Sequence, residues 1–129
     1  MKQILLVDDN RSIKRMMEIA FGDEPEIDFH FFPSGGQVLE YLEDNHGEVD
    51  SVILDLAMPT LDGLQVSEEI RRNESAWLKE PPVKIAFWTG SNIDPPVRRV
   101  ANRVQVEKFF KKPVDVFDFV REVKQWMEI

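Results

Sequence analysis

The sequence predicts an α/β domain: a parallel sheet with helices packed on both faces. Three observations carry that prediction. Five short apolar runs of strand length alternate with segments whose apolar residues recur at helical spacing. The connections between the runs are of helix length, which parallel strands require and tight hairpins do not. The central run, Val52-Ile53-Leu54, is aliphatic without alternation, as in a strand covered by helices on both sides.

Each element has a local reason. Gln3 to Val7 (QILLV) is an apolar run that stops at Asp8-Asp9-Asn10, where Asn10 or Asp9 can cap a helix by accepting from free backbone N–H groups. Ile13, Met17 and Ala20, with Met16 and Phe21, form that helix's apolar face, and Gly22 ends it. Ile27 to Phe32 reads as a second strand, with His30 as a partly buried structural residue. Ser34-Gly35-Gly36 opens a helix with Val38, Leu39, Tyr41 and Leu42 inward; it lacks both the dinucleotide fingerprint and a G-K-[ST] phosphate loop. The third strand ends in Asp55. Met58-Pro59 and Asp62-Gly63 mark the loop after it, because proline fixes φ and glycine tolerates positive φ.

A helix then begins near Asp62, carries Leu61, Leu64, Val66 and Ile70, and runs to about Ser75. Glu74 to Pro82 is a polar connection closed by two prolines. Val83 to Trp88 is the fourth strand, ending in Thr89-Gly90-Ser91. Pro95-Pro96 suits the first turn of the next helix, which bears Val97, Val100 and Ala101, with Arg98, Arg99 and Arg103 outward. Val104 to Phe110 contains a short fifth strand that ends in Lys111-Lys112-Pro113. Asp115 caps a last helix with Val116, Phe119, Val120, Val123 and Met127 inward.

Bulk properties exclude several functions. A length of 129 residues suits one domain, and no linker or repeat divides it. There is no cysteine, so thiolate metal sites and disulfides are excluded. Two histidines, His30 and His46, argue against histidine-based zinc or catalysis. A net charge of −8 argues against direct nucleic-acid binding. No apolar run approaches the about 18 residues of a membrane span, and MKQILLVDDN turns acidic too soon for a signal peptide, so a cytoplasmic location is expected.

A parallel sheet gathers its strand C-termini at one edge, where open α/β sheets bind ligands. Asp8-Asp9, Asp55, Thr89 and Lys112-Pro113 all end strands in this reading. Each has an ordinary structural reading alone: a cap, a turn residue or a solvated strand end. Together, three carboxylates at one edge repel one another unless a cation sits among them. Oxygen ligands without thiolate or imidazole suit Mg²⁺, which prefers carboxylate and phosphate oxygen. A lysine ammonium and a threonine hydroxyl can both reach phosphoryl oxygens. The set fits phosphoryl transfer onto a carboxylate oxygen.

With these residues in place the chain resembles the receiver domains of bacterial two-component response regulators, particularly the stand-alone, chemotaxis-type ones. ILLVDDN at 4–10, VILDLAMPTLDG at 52–63, WTGS at 88–91 and FFKKP at 109–113 carry the resemblance, which spans the whole chain. It implies a flavodoxin-like (βα)5 three-layer sandwich with strand order 2-1-3-4-5, as a single receiver domain over 1–129 with no output domain. It makes Asp55 the phosphoacceptor. Asp9 would bind Mg²⁺ directly (Mn²⁺ can substitute) and Asp8 largely through water, with the Ala57 carbonyl as a further ligand. Thr89 would be the hydroxyl that moves onto the phosphoryl group, Phe109 the aromatic switch, and Lys112, directly before Pro113, the active lysine. A cis Lys112–Pro113 bond is common in the family.

The implied role is a phosphorelay switch rather than a turnover enzyme. It would phosphorylate itself from small phosphodonors and lose the phosphate slowly. The implied partners are a sensor histidine kinase or histidine phosphotransfer protein as donor, and a downstream protein on the face of the fourth helix, fifth strand and fifth helix. A phosphorylation-dependent homodimer is compatible with this. A haloacid-dehalogenase-type phosphatase is disfavoured because no DxD follows the first strand, and a flavodoxin because the acidic first loop would repel phosphate. A receiver-like module that never takes phosphate is disfavoured by the complete residue set. The departures from the family pattern are small residues at Ala57 and Ser91, Gln105-Val106 where Gly-Ala is common, a bulky Trp88 beside the switch threonine, and Phe109 where Tyr is common.

Overall fold

Strand and helix alternate along the computed structural model, which describes every residue except Pro59, Ser91, Glu107, Pro113 and Val114. The elements are β1 (Lys2–Val7), α1 (Lys14–Gly22), β2 (Ile27–Phe32), α2 (Gly35–Asn45), β3 (Ser51–Asp55), α3 (Gly63–Trp77), β4 (Lys84–Thr89), α4 (Pro95–Arg103), β5 (Lys108–Lys111) and α5 (Val116–Met127). Their strands are all parallel, in the order β2-β1-β3-β4-β5. The expected flavodoxin-like three-layer sandwich is therefore the one observed.

Alternation along the strands decides which helices cover which face. Leu5, Val7, Val52, Leu54, Ile85 and Phe87 pack with α2, α3 and α4 through Val38, Leu42, Val66, Ile70 and Ala101. Ile4, Leu6, Ile53, Ala86, Trp88 and Phe110 pack with α1 and α5 through Met17, Phe21, Phe119, Val120 and Val123. β1 and β3 are buried on both faces, which is why their sequences read as unbroken apolar runs.

The caps follow the expected chemistry. Asn10 accepts from Ser12 N–H and starts a 3₁₀ turn that leads into α1. Ser34, Asp62, Asp94 and Asp115 cap α2, α3, α4 and α5. Asp62 and Gln65 form a reciprocal capping box.

Three local expectations need correction. Met16 is not on the buried face of α1; it is 46% exposed, because Met17, Ala20 and Phe21 fill the space against the sheet. Gly63 is required by close approach and not by positive φ: it is the first residue of α3, and a Cβ there would lie 2.6 Å from the Asp55 carbonyl oxygen. The α3 helix runs past Ser75 to Trp77, whose ring stacks on His46 at 4.7 Å. A cis bond precedes Pro81; the expectation for Lys112–Pro113 falls on Pro113, outside the described residues. Among the described residues, no helix is long and apolar enough to cross a membrane.

Candidate functional site

The register aligns the ends of four strands. Leu6 lies opposite Ile53, Asp55 opposite Trp88, and Trp88 opposite Phe110. Facing residues on neighbouring strands point to the same side of the sheet. Continuing this pattern by one step puts Asp8, Asp55 and Trp88 in a row across β1, β3 and β4, on the face covered by α1 and α5. Backbone bonds extend the alignment beyond the strands: Asp8 N–H donates to Phe32, Leu56 N–H to Trp88 and Lys112 N–H to Thr89.

Carboxylate oxygens of Asp8, Asp9 and Asp55 all lie within 4.8 Å of one another. Asp8 is 1% and Asp55 3% exposed, whereas Asp9 is open to solvent. The ammonium of Lys112 sits 2.7 Å from Asp8 Oδ2 and 3.3 Å from Asp55 Oδ2. Lys111 is exposed at the end of β5, and it is the ammonium of the next residue, Lys112, that lies beside the acids. The other oxygens of both acids are held by backbone: Asn10 N–H donates to Asp8 Oδ1 at 2.8 Å and Ala57 N–H to Asp55 Oδ1 at 3.0 Å.

Burial holds the Asp55 carboxyl above its ordinary range, and the nearby Asp8 charge adds to this; the Ala57 N–H and the Lys112 ammonium pull the other way. The donor set, all carboxylate oxygen at one exposed edge with a single lysine, fits a hard divalent cation such as Mg²⁺. Three carboxylates beside one partly exposed ammonium leave negative charge for a cation to balance.

Thr89 ends β4 at 6% exposure. Two strand positions before it, Phe87 packs against the half-buried Phe109 ring at 5.8 Å, so Thr89 and Phe109 share the sheet face under α4. The guanidinium of Arg98 lies 5.5 Å from the Phe109 ring centroid. Among α4 residues only Ala101 is buried, so this helix is held chiefly by its C-terminal end. Ser91 lies outside the described residues.

Two features escape sequence reading. Trp88, noted only for its bulk, places its ring under the Lys112 ammonium at 4.6 Å. Arg71 donates to the carbonyls of Val104 at 2.7 Å and Val83 at 2.8 Å and pairs with Glu74, tying α3 to the α4–β5 junction. That junction is where Gln105 replaces the common glycine; Gln105 takes φ 58°, and its carbonyl also accepts from Arg71 at 3.4 Å. An arginine in the middle of α3, outside every motif, carries no local signal of this.

Comparisons with known proteins match the chain as a whole. A family model described as response regulator receiver domain matches residues 4–124. The CAI-1 autoinducer sensor kinase/phosphatase CqsS of Vibrio cholerae is 28% identical over 98% of this chain, which covers 17% of that protein. A CheY-like receiver domain protein of Methanospirillum hungatei shares the fold at TM-score 0.80, with 18% identity over 99% of this chain and 94% of that one. A Saccharomyces cerevisiae receiver domain, solved with its histidine phosphotransfer signaling protein, shares it at TM-score 0.78, with 21% identity over 97% and 88% of the two chains. The chain spans between 12% and 28% of the length of four curated relatives that it matches.

Proposed function

The chain belongs to the response regulator receiver domain family of two-component phosphorelays, and on that premise we propose that Asp55 is its phosphoacceptor. The observation that carries the reading is the Lys112 ammonium shared between Asp8 and Asp55 at the strand edge. An oxygen of Asp55 attacks the phosphorus of the donor. A new P–O bond forms as the bond to the donor's imidazole nitrogen breaks, and that nitrogen keeps the electron pair. With a small donor such as acetyl phosphate, the leaving group is acetate. Asp8, Asp9, Asp55 and the Ala57 carbonyl would hold Mg²⁺, or Mn²⁺ in its place, which when bound neutralises charge on the phosphoryl oxygens. Lys112 pairs with one of those oxygens once Asp55 has become an acyl phosphate.

The readout is proposed to run through Thr89 and Phe109. The hydroxyl moves toward the phosphoryl group, and the Phe109 ring follows inward. Thr89 and Phe109 lying on one sheet face, under a helix with one buried residue, supports this route. The donor is a histidine kinase or histidine phosphotransfer protein. The α4–β5–α5 face then changes its affinity for a downstream protein or for a second copy of the chain.

The test is labelling. With Mg²⁺ and acetyl phosphate the wild type should gain one acid-stable, base-labile phosphate by intact mass. Asp55→Asn should gain none, because an amide oxygen is a poor nucleophile. Equal labelling of both proteins would rule out Asp55 as the acceptor.

A further inference from the structure

We propose that Trp88 is a positioning residue for Lys112: its indole face floors the path by which the ammonium crosses from β5 to the carboxylates. This rests on the reading of Asp55 and Lys112 given above. Three observations carry it. The first is topological. β4 lies between β5, which delivers Lys112, and β3, which delivers Asp55, and Trp88 is the β4 residue directly opposite Asp55. A lysine stem leaving β5 must cross Trp88 to reach Asp55 and Asp8. The second is contact. The ammonium lies 4.6 Å from the ring centroid while 2.7 Å from Asp8 and 3.3 Å from Asp55. An indole attracts a cation over its face more strongly than any other side-chain ring.

The third observation separates this role from plain core packing. The Trp88 indole nitrogen is buried and has no hydrogen-bond partner among the described residues. A buried unpaired donor is a cost that phenylalanine or leucine at this position would avoid. Hydrogen bonding therefore does not explain a tryptophan here, and packing on Phe119 at 5.1 Å asks only for a large apolar side chain. The ring face toward Lys112, stronger for tryptophan than for phenylalanine, is the property that the described contacts of the site use. The ammonium is thus held by two anions and one π face. When Asp55 gains a phosphoryl group, the π face keeps the ammonium centred over the sheet edge instead of following Asp8 alone.

The experiment uses the full chain and two readouts. In wild type, the Lys112 ε-methylene protons, assigned by their loss in Lys112→Arg, should resonate upfield of the other lysines because they sit over the ring. Trp88→Leu should return them to the common position, and Trp88→Phe should leave an intermediate shift. In Mg²⁺ with acetyl phosphate, Trp88→Leu should phosphorylate about three- to thirtyfold more slowly and Trp88→Phe less so, the range expected for a partly desolvated cation–π contact. Phe21→Leu, a core change in the same layer, should lower the melting temperature with the rate within twofold of wild type. Unshifted Lys112 protons in wild type overturn the proposal, as does a wild-type rate in Trp88→Leu or an equal slowing in Phe21→Leu. If the wild type takes no phosphate, or Asp55→Asn takes as much, it is the acceptor reading that fails, and the proton shifts alone then decide the placement of Lys112.

Discussion

Lys112 and Asp8, 104 positions apart in the chain, meet at 2.7 Å, and Asp8 is almost wholly buried beneath the contact. The pair is the main internal balance for the acidic edge. Lys112→Ala would leave Asp8 and Asp55 buried without a cation. In EDTA it should lose about 2–3 kcal/mol, the scale for breaking a largely buried pair with one half-solvated partner. Added Mg²⁺ should then raise its melting temperature by more than it raises that of wild type, because the ion takes over the missing positive charge. Paired melts in EDTA and Mg²⁺ check this. An equal Mg²⁺ increment in both proteins would mean that Lys112 does not offset the acids.

Asp55 gives a pH signature. Its carboxyl is held above the ordinary value of 3.8, first by burial. A carboxyl raised in the folded state contributes stability that is fully present below its unfolded pKa and is lost as pH rises through the folded one. Asparagine at this position has no such loss. In EDTA, the melting temperature of Asp55→Asn relative to wild type should therefore climb as pH rises above about 3.8 and level off beyond the raised folded value. A difference that stays flat across this range, or shrinks, contradicts a raised Asp55.

Coupling between Thr89 and Phe109 is open to NMR. Phe109 is half-buried and carries the Arg98 guanidinium on its ring. Beryllofluoride with Mg²⁺, which mimics a phosphorylated carboxylate, should shift the Phe109 ring protons in wild type. Thr89→Ala should bind the mimic and show less than half of that response, since a population shift needs a contact that differs between the states. Identical ring-proton changes in both proteins would remove Thr89 from the route.

The Arg71 clamp bears on stability rather than chemistry. Its side chain and that of Glu74 are 16% and 11% exposed, and together they tie down Val83, Val104 and Gln105. Arg71→Ala takes the cation from Glu74, which keeps the Val83 N–H, and the guanidinium from these carbonyls. It should cost about 3 kcal/mol, a fall in melting temperature of roughly 10 °C for a domain of this size. Gln105→Gly should gain about 0.5–1 kcal/mol, because glycine takes φ 58° without the steric cost. Thermal melts of both variants suffice. A neutral Arg71→Ala would show that the α4–β5 junction holds itself.

The residues of the strand edge could be read without coordinates because their signals are local. An apolar run that stops at an acid, as at Val7-Asp8 and Leu54-Asp55, marks both a buried strand and its open end. Asp or Ser before a helical pattern marks a cap, and Asp62, Asp115 and Ser34 all cap as such residues do. Where a local signal had two causes, sequence chose wrongly or not at all. Gly63 answers to the Asp55 backbone pressed against it, and the side of α1 that meets the sheet is set by how Phe21 stacks on Phe29 and meets Phe119, which leaves Met16 outside. The rest was decided by tertiary structure alone. That Lys112 crosses Trp88 to reach Asp8 depends on strand order, register and the reach of one side chain. That Arg71 closes the α4–β5 junction depends on carbonyls left unpaired more than thirty residues away. Such contacts join residues distant in the chain, and no periodicity or spacing within a segment encodes them.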